Sequence, residues 1–139
     1  MNETLLFLHF VGLLLGAGPG AAQTLIMRRA AALPAEQAQV LRALGPMLAN
    51  VSAVGIAILW ITGLILVWSK YGGPGSLPAT FWWKMLFVAI LTLLAGFIHW
   101  TYAEVRRGNA AAAARLAIAG PASGISALLA VLFAVIAFN

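Results

Sequence analysis

Few residues in this chain are able to do chemistry: two histidines (His9 and His99), Lys84, Glu104, the methionines Met1, Met27, Met47 and Met85, and a set of arginines. There is no cysteine. That excludes disulfides, thiolate metal sites and iron–sulfur clusters, and leaves the redox compartment open. Aspartate is absent as well, and the only acids are Glu3, Glu36 and Glu104. Paired carboxylates for hydrolysis or for a divalent cation are therefore missing, and no nucleophile–base–acid set is visible. What remains is imidazole, ammonium and thioether chemistry: axial ligation of a metal such as haem iron, carriage of a proton, and capture of an anionic group.

Spacing decides which of these groups can meet. Residues 85–98 form an unbroken apolar run between Lys84 and His99, which reads as one helix. The 15 residues separating the two ends correspond to roughly 22 Å along a helix axis. His9 lies close to the start of another apolar segment, at about the depth of Lys84. One haem iron needs both axial imidazoles within roughly 2 Å, as other metal–imidazole bonds show. A bis-histidine haem built from His9 and His99 is therefore ruled out by the gap of about 20 Å. Each histidine needs a different partner, or only one is a ligand. Met85 adjoins Lys84 at the depth of His9 and is a thioether candidate, as are Met1, Met27 and Met47, although a buried methionine is far more often packing.

The same-level pair of His9 and Lys84 makes the sharper hypothesis. His9 would act as an axial ligand or proton carrier. Lys84 would bind a carboxylate such as a porphyrin propionate, a quinone oxygen or a lipid phosphate. The competing reading makes Lys84 an interfacial anchor, snorkelling to the head groups beside Trp82 and Trp83. At the other end, His99, Glu104, Arg106 and Arg107 face Arg28 and Arg29. There an interfacial ion pair of Glu104 with an arginine is expected, with His99 as a cofactor-binding candidate separate from His9. At 100° per residue, Lys84, His99 and Tyr102 share one broad side of their helix, joined by Thr92. That side serves as a cofactor slot, a proton route or a helix-contact face.

The elements that carry these groups are membrane spans. The chain has 139 residues, 63% hydrophobic and only 8% charged, against about 25% charged in a soluble domain. Four apolar segments, at about 4–27, 47–68, 82–104 and 116–138, are each long enough to cross a bilayer as a helix. With Asn2-Glu3 ahead of the first run, the basic start of a cleaved signal peptide is missing, so segment one is read as a retained span. It carries Gly12, Gly16 and Gly20 at four-residue spacing, a face on which a second helix packs closely, and Pro19, which should kink it or break a backbone bond. Residues 28–45 leave the membrane. Pro34-Ala35-Glu36-Gln37 marks a helix start there, leading into segment two with a kink at Gly45-Pro46. Asn50 in segment two is expected to bond a neighbouring helix or cap a turn. Gly72-Gly73-Pro74-Gly75 breaks the chain after segment two. Gly120-Pro121-Ala122-Ser123-Gly124 in segment four echoes Gly18-Pro19-Gly20, a short match suggestive of duplication.

Charge orients the segments. Arg28, Arg29, Arg42, Arg106, Arg107 and Arg115 lie in the loops of one side, against Lys70 on the other. The positive-inside bias makes the arginine side cytoplasmic and puts both termini outside. The formal charge of +5 follows from these anchors and is no nucleic-acid footprint. The fold class is thus an all-α, integral membrane four-helix bundle forming a single domain, with adjacent spans antiparallel.

An early histidine in helix one, a basic loop, TGLILVW at 62–68, a Gly/Pro loop and FWWKMLFVAILTLLAGFIHW at 81–100 together resemble the small four-helix membrane proteins around the HemJ-type protoporphyrinogen oxidases and the CopD-like copper-resistance domains. The resemblance covers about the first two thirds of the chain. It implies a bound haem b, functional roles for His9 and Lys84, and a match of Arg28 or Arg29 to the family's arginine near the inner end of helix one. After His9 the Trp-x-x-Gly-Leu-Phe-Tyr run of that family is replaced by Gly-rich residues that include Pro19. The expectation is a multi-pass protein of a bacterial inner membrane, with a haem or porphyrin site near the outer leaflet and a redox role. His9 is its metal ligand; His9 and Lys84 are its catalytic candidates; His9, Lys84, Met85, His99 and Arg28 are its cofactor-binding candidates. Two other readings stand beside it: an accessory or assembly subunit packing through its glycine faces, as a homo-oligomer or within a membrane complex, and a small transporter of copper or another solute.

Overall fold

The structure, a computed structural model, describes residues 2–139, with side chains from residue 3 onward. Five α-helices make up most of it: α1 (Asn2–Ala31), α2 (Ala35–Arg42), α3 (Leu44–Ser69), α4 (Ala79–Arg106) and α5 (Leu116–Phe138), with short 3₁₀ turns at Pro74–Ser76 and Ala110–Arg115. Among the described residues there is no strand. α1, α2 with α3, α4, and α5 with its preceding turn are long and apolar enough to cross a membrane. Large apolar side chains face outward along all four, among them Phe7, Leu14, Ile61, Leu93, Ile118 and Leu128. A soluble protein does not expose so much contiguous apolar surface, so the chain is a multi-pass membrane protein.

Several boundaries differ from the sequence reading for identifiable reasons. α1 continues through Pro19; the imino nitrogen removes one helical hydrogen bond without ending the helix. The break before α3 falls at Ala43, not at Gly45-Pro46. Pro46 lies in the first turn of α3, where its missing N–H has no helical partner to lose. α4 begins at Ala79, just after Pro78. Part of the arginine loop is wound into the 3₁₀ turn Ala110–Arg115, which feeds directly into α5. Gly72, Gly73 and Gly108 take positive φ of 72°, 116° and 99° at the two tight turns, where a Cβ would be strained.

The packing is uneven. α1 lies most closely on α3, and α4 on α5, while α1 with α5 and α3 with α4 touch far less. Glycine sets the first contact. A Cβ on Gly12 would stand 3.0 Å from both Ile58 and the Leu59 nitrogen, and one on Gly55 would overlap the Gly16 backbone. Ser52 Oγ then donates to the Gly16 carbonyl at 2.6 Å. The expected close-packing face is thus used at Gly12 and Gly16, against α3. Gly20 stands clear of any neighbour. Aromatic and small residues set the second contact: Phe133 stacks on Phe87 and Trp83 with centroids 5.5 and 6.3 Å apart, and Ala119, Ala127 and Ala130 are buried. A layer of Ile56, Leu91 and Ala127, with Trp60 packed on it, joins the two pairs at mid-height. Trp60 Nε1–H donates to Thr92 Oγ1 at 3.0 Å across that joint. α1 and α4 are diagonal in this arrangement, so groups they present inward face each other across the bundle.

Candidate functional site

Where the two helix pairs separate, at the end holding His9, they leave a cavity of about 450 Å³ lined by all four spans. Small-molecule sites commonly measure about 300–1,000 Å³ and are mostly apolar with a few placed polar groups. This one has apolar walls that include Leu13, Val88, Leu91 and Ala130, and its polar groups are His9, Lys84, Lys70 and Tyr71 with Asn139.

His9 is held from α3. Its Nδ1 lies 2.8 Å from Thr62 Oγ1, and the same hydroxyl donates its proton to the Ile58 carbonyl at 2.6 Å. A hydroxyl has one proton to give. With that proton on the Ile58 carbonyl, Thr62 accepts from His9 Nδ1–H, and in the neutral ring Nε2 is then the unprotonated nitrogen. The ring rests on Gly63, where a Cβ would meet Cε1 at 3.2 Å; any larger residue would push the imidazole aside. Metal-ligating histidines commonly have their second ring nitrogen donating to an outer partner, and the His9–Thr62 contact is compatible with that pattern.

Lys84 comes from the diagonal helix. Its Nζ lies 5.3 Å from the Phe81 ring centroid and 5.8 Å from that of Phe138. Phe138 in turn stacks on Tyr71 at 4.8 Å, and Lys70 Nζ sits 5.5 Å from the Tyr71 ring. Cations over aromatic faces are held without being neutralised. Among the described residues no acid pairs with Lys84; the ion pair present is Arg107 with Glu104, at 3.0 Å. The cavity mouth is therefore a ring of aromatic groups carrying uncompensated positive charge above an apolar interior, which suits an amphiphile with an anionic edge.

The remaining candidates fall elsewhere. Met85 lines the same cavity as His9 and Lys84. Met27 and Met47 do not line it, and Met1 lies outside the described residues. Arg28 is exposed at the far end of α1. His99 lines a separate small recess at that end. Its Nδ1–H donates to the Ala95 carbonyl at 3.0 Å. Its Nε2 stands 3.1 Å from the Asn50 side-chain amide. A neutral ring accepts there from the amide N–H, and a cationic ring donates to the amide oxygen. Either way both nitrogens are engaged. The broad side of α4 shared by Lys84, Thr92, His99 and Tyr102 thus faces protein throughout, but it serves a cavity, a helix contact and a recess in turn.

Thr62, Gly63, Tyr71 and Phe138 carry no assigned role in the sequence reading. The available signal is the Thr62-Gly63 step, a hydroxyl beside a gap on an otherwise apolar helix. No family model, curated protein or solved structure matches this chain.

Proposed function

We propose that this protein binds haem b or a related porphyrin in the cavity between its helix pairs and uses it in a redox role. The observation that carries the reading is the His9 ring, its Nδ1–H tied to Thr62 and its Nε2 lone pair open, in a cavity that Lys84 also lines. The residues fit such a group: one imidazole for the iron, an ammonium for a propionate, Met85 as a thioether within the same walls, and apolar sides for the macrocycle. When bound, the iron supplies one-electron chemistry. The chain's own part is to hold one tautomer of His9, to bind a carboxylate at Lys84 Nζ, and to exclude water with the leucine and valine walls. Oxidation of a porphyrinogen, as in the HemJ-type enzymes, is the catalytic form of this reading.

The absorbance spectrum of the purified protein tests it. A Soret band is expected, lost in His9→Ala. A colourless protein from cells supplied with ample haem counts decisively against it. The accessory-subunit reading loses the Gly12–Gly16 face, which α3 occupies, and keeps Gly20, Gly120 and Gly124, which stand clear; co-purification of a larger complex would favour it. Copper transport has one imidazole and one thioether in the cavity, and no cluster of three His, Asp or Glu side chains exists among the described residues.

The orientation belongs to the same proposal. Arg28, Arg29, Arg42, Arg106, Arg107 and Arg115 are exposed at the end remote from His9, so the positive-inside bias makes that end cytoplasmic. The termini and the cavity mouth then face the outer side of a bacterial inner membrane. Ser76→Cys should label from the periplasm; labelling only from the cytoplasm reverses the topology.

A further inference from the structure

The arginine end contains a recess independent of the cavity, formed by side chains of all four spans: Gln23 from α1, Gly45 and Ser52 from α3, His99 and Tyr102 from α4, and Ser123 from α5. Hydrogen-bond accounting there does not close within the protein. Gln23 Nε2–H donates to Tyr102 Oη at 2.8 Å, while Gln23 Oε1 is buried with no protein partner. The Tyr102 hydroxyl, having accepted, still has its own proton to place. Turning the Gln23 amide over does not help. Tyr102 O–H would then donate to Oε1, and the amide N–H groups would be stranded instead. The pair is also built in. A Cβ on Gly45 would overlap Tyr102 Oη and stand 2.9 Å from Gln23 Nε2, so α3 is cut back to glycine where the two side chains meet.

We propose that this recess is a binding site for a small guest that both donates and accepts, namely water, held between Gln23 Oε1 and the Tyr102 hydroxyl. The guest gives a proton to Oε1 and takes the one from Tyr102, which closes both open valences at once. An anion could not donate, and a metal cation could not accept. The space agrees: the recess measures about 50 Å³, against roughly 10–15 Å³ required for one water, so one to a few waters fit and a larger solute does not. Ser52, whose hydroxyl proton goes to the Gly16 carbonyl, lines the same wall and has lone pairs to spare. The water therefore ties α1 to α4 near the arginine end, below the apolar Ile56–Leu91–Ala127 layer.

Two measurements on the full chain in lipid nanodiscs test this. An experimental structure at a resolution that shows ordered solvent should have density within hydrogen-bond reach of both Gln23 Oε1 and Tyr102 Oη. An empty recess, or an acyl chain in it, overturns the proposal. The second is a filling cycle. Ser123→Leu puts apolar volume into the recess. If water is displaced from Gln23, the thermal midpoint falls by a few degrees, and the fall disappears when Gln23→Leu and Tyr102→Phe are already present. If the recess is a dry void, Ser123→Leu raises the midpoint in both backgrounds, which would falsify the assignment.

Discussion

Each end of the bundle carries one histidine, and the two are built in opposite ways. His99 at the arginine end is saturated, with one ring nitrogen on the Ala95 carbonyl and the other on the Asn50 amide. His9 at the other end is half-satisfied: Thr62 holds one nitrogen, and the other is left free in a cavity of about 450 Å³. The charges follow the same contrast. Arginines at the far end are exposed, where water or lipid head groups solvate them, and one pairs with Glu104. Lys84 is half-buried among aromatic rings with no acid beside it. A group satisfied by its own protein contributes structure. A group oriented by the protein and then left with an open valence is poised for a ligand.

The comparison can be broken or sharpened by substitution, beginning with the change that removes both ends together. Gly55→Leu forces a side chain into the Gly16 backbone, and overpacking of this kind costs about 1–3 kcal/mol or more. We expect loss of the folded monomer, seen as early elution spread and a collapsed thermal transition in detergent; an unchanged transition would show that the α1–α3 crossing is not as tight as described. Next comes the contrast between the histidines. His9→Ala should abolish the Soret band while His99→Ala leaves it in place, and equal loss in both would erase the distinction drawn here. Thr62→Val keeps the shape at His9 but removes the acceptor for Nδ1–H. Outer-partner losses of this type weaken ligation by roughly 10–100-fold, so haem titration of the variant should show a weaker Kd with the fold intact. Lys84→Gln removes one charge-assisted bond, worth about 1.5–3 kcal/mol; binding of haem should weaken about tenfold or more, and binding of its dimethyl ester should not change. Last, Glu104→Gln deletes an exposed i,i+3 pair worth at most about 1 kcal/mol. Its thermal midpoint should move barely at all, and a large drop would mean that the arginine end contains more buried charge than it shows.

How much of this was legible beforehand depended on whether a feature is periodic or mutual. Four spans and their order follow from long apolar runs, which need no partner to be read. Gly12 and Gly16 announce a close contact because their spacing matches a helix face, although Gly20, at the same spacing, stands clear. The depth argument that separates His9 from His99 needs only the rise of a helix. Thr62, Gly63 and Gln23 are different: each matters through a single atom on another helix, and nothing in the local sequence announces that atom. Trp60 is the sharpest case. A tryptophan in the middle of a span departs from the interfacial belt habit, and its reason is the Thr92 hydroxyl across the bundle. The sequence points to a break at Gly45-Pro46 and the structure has it at Ala43, because proline is harmless in a first helical turn.

The uneven packing has a mechanical consequence. α1 and α3, locked by backbone-to-backbone contact at Gly12, Gly16 and Gly55, form one stiff plate; α4 and α5, zipped by Phe87, Phe133 and Trp83, form another. The plates are joined at three levels: Tyr71 on Phe138 at the His9 end, Trp60 with Thr92 beside the apolar layer, and Gln23 with Tyr102 at the arginine end. Widening the His9 end by a rigid tilt of one plate would bend no helix, but it would part the Tyr71–Phe138 stack. A lipid-soluble guest would enter sideways through the seam between the plates.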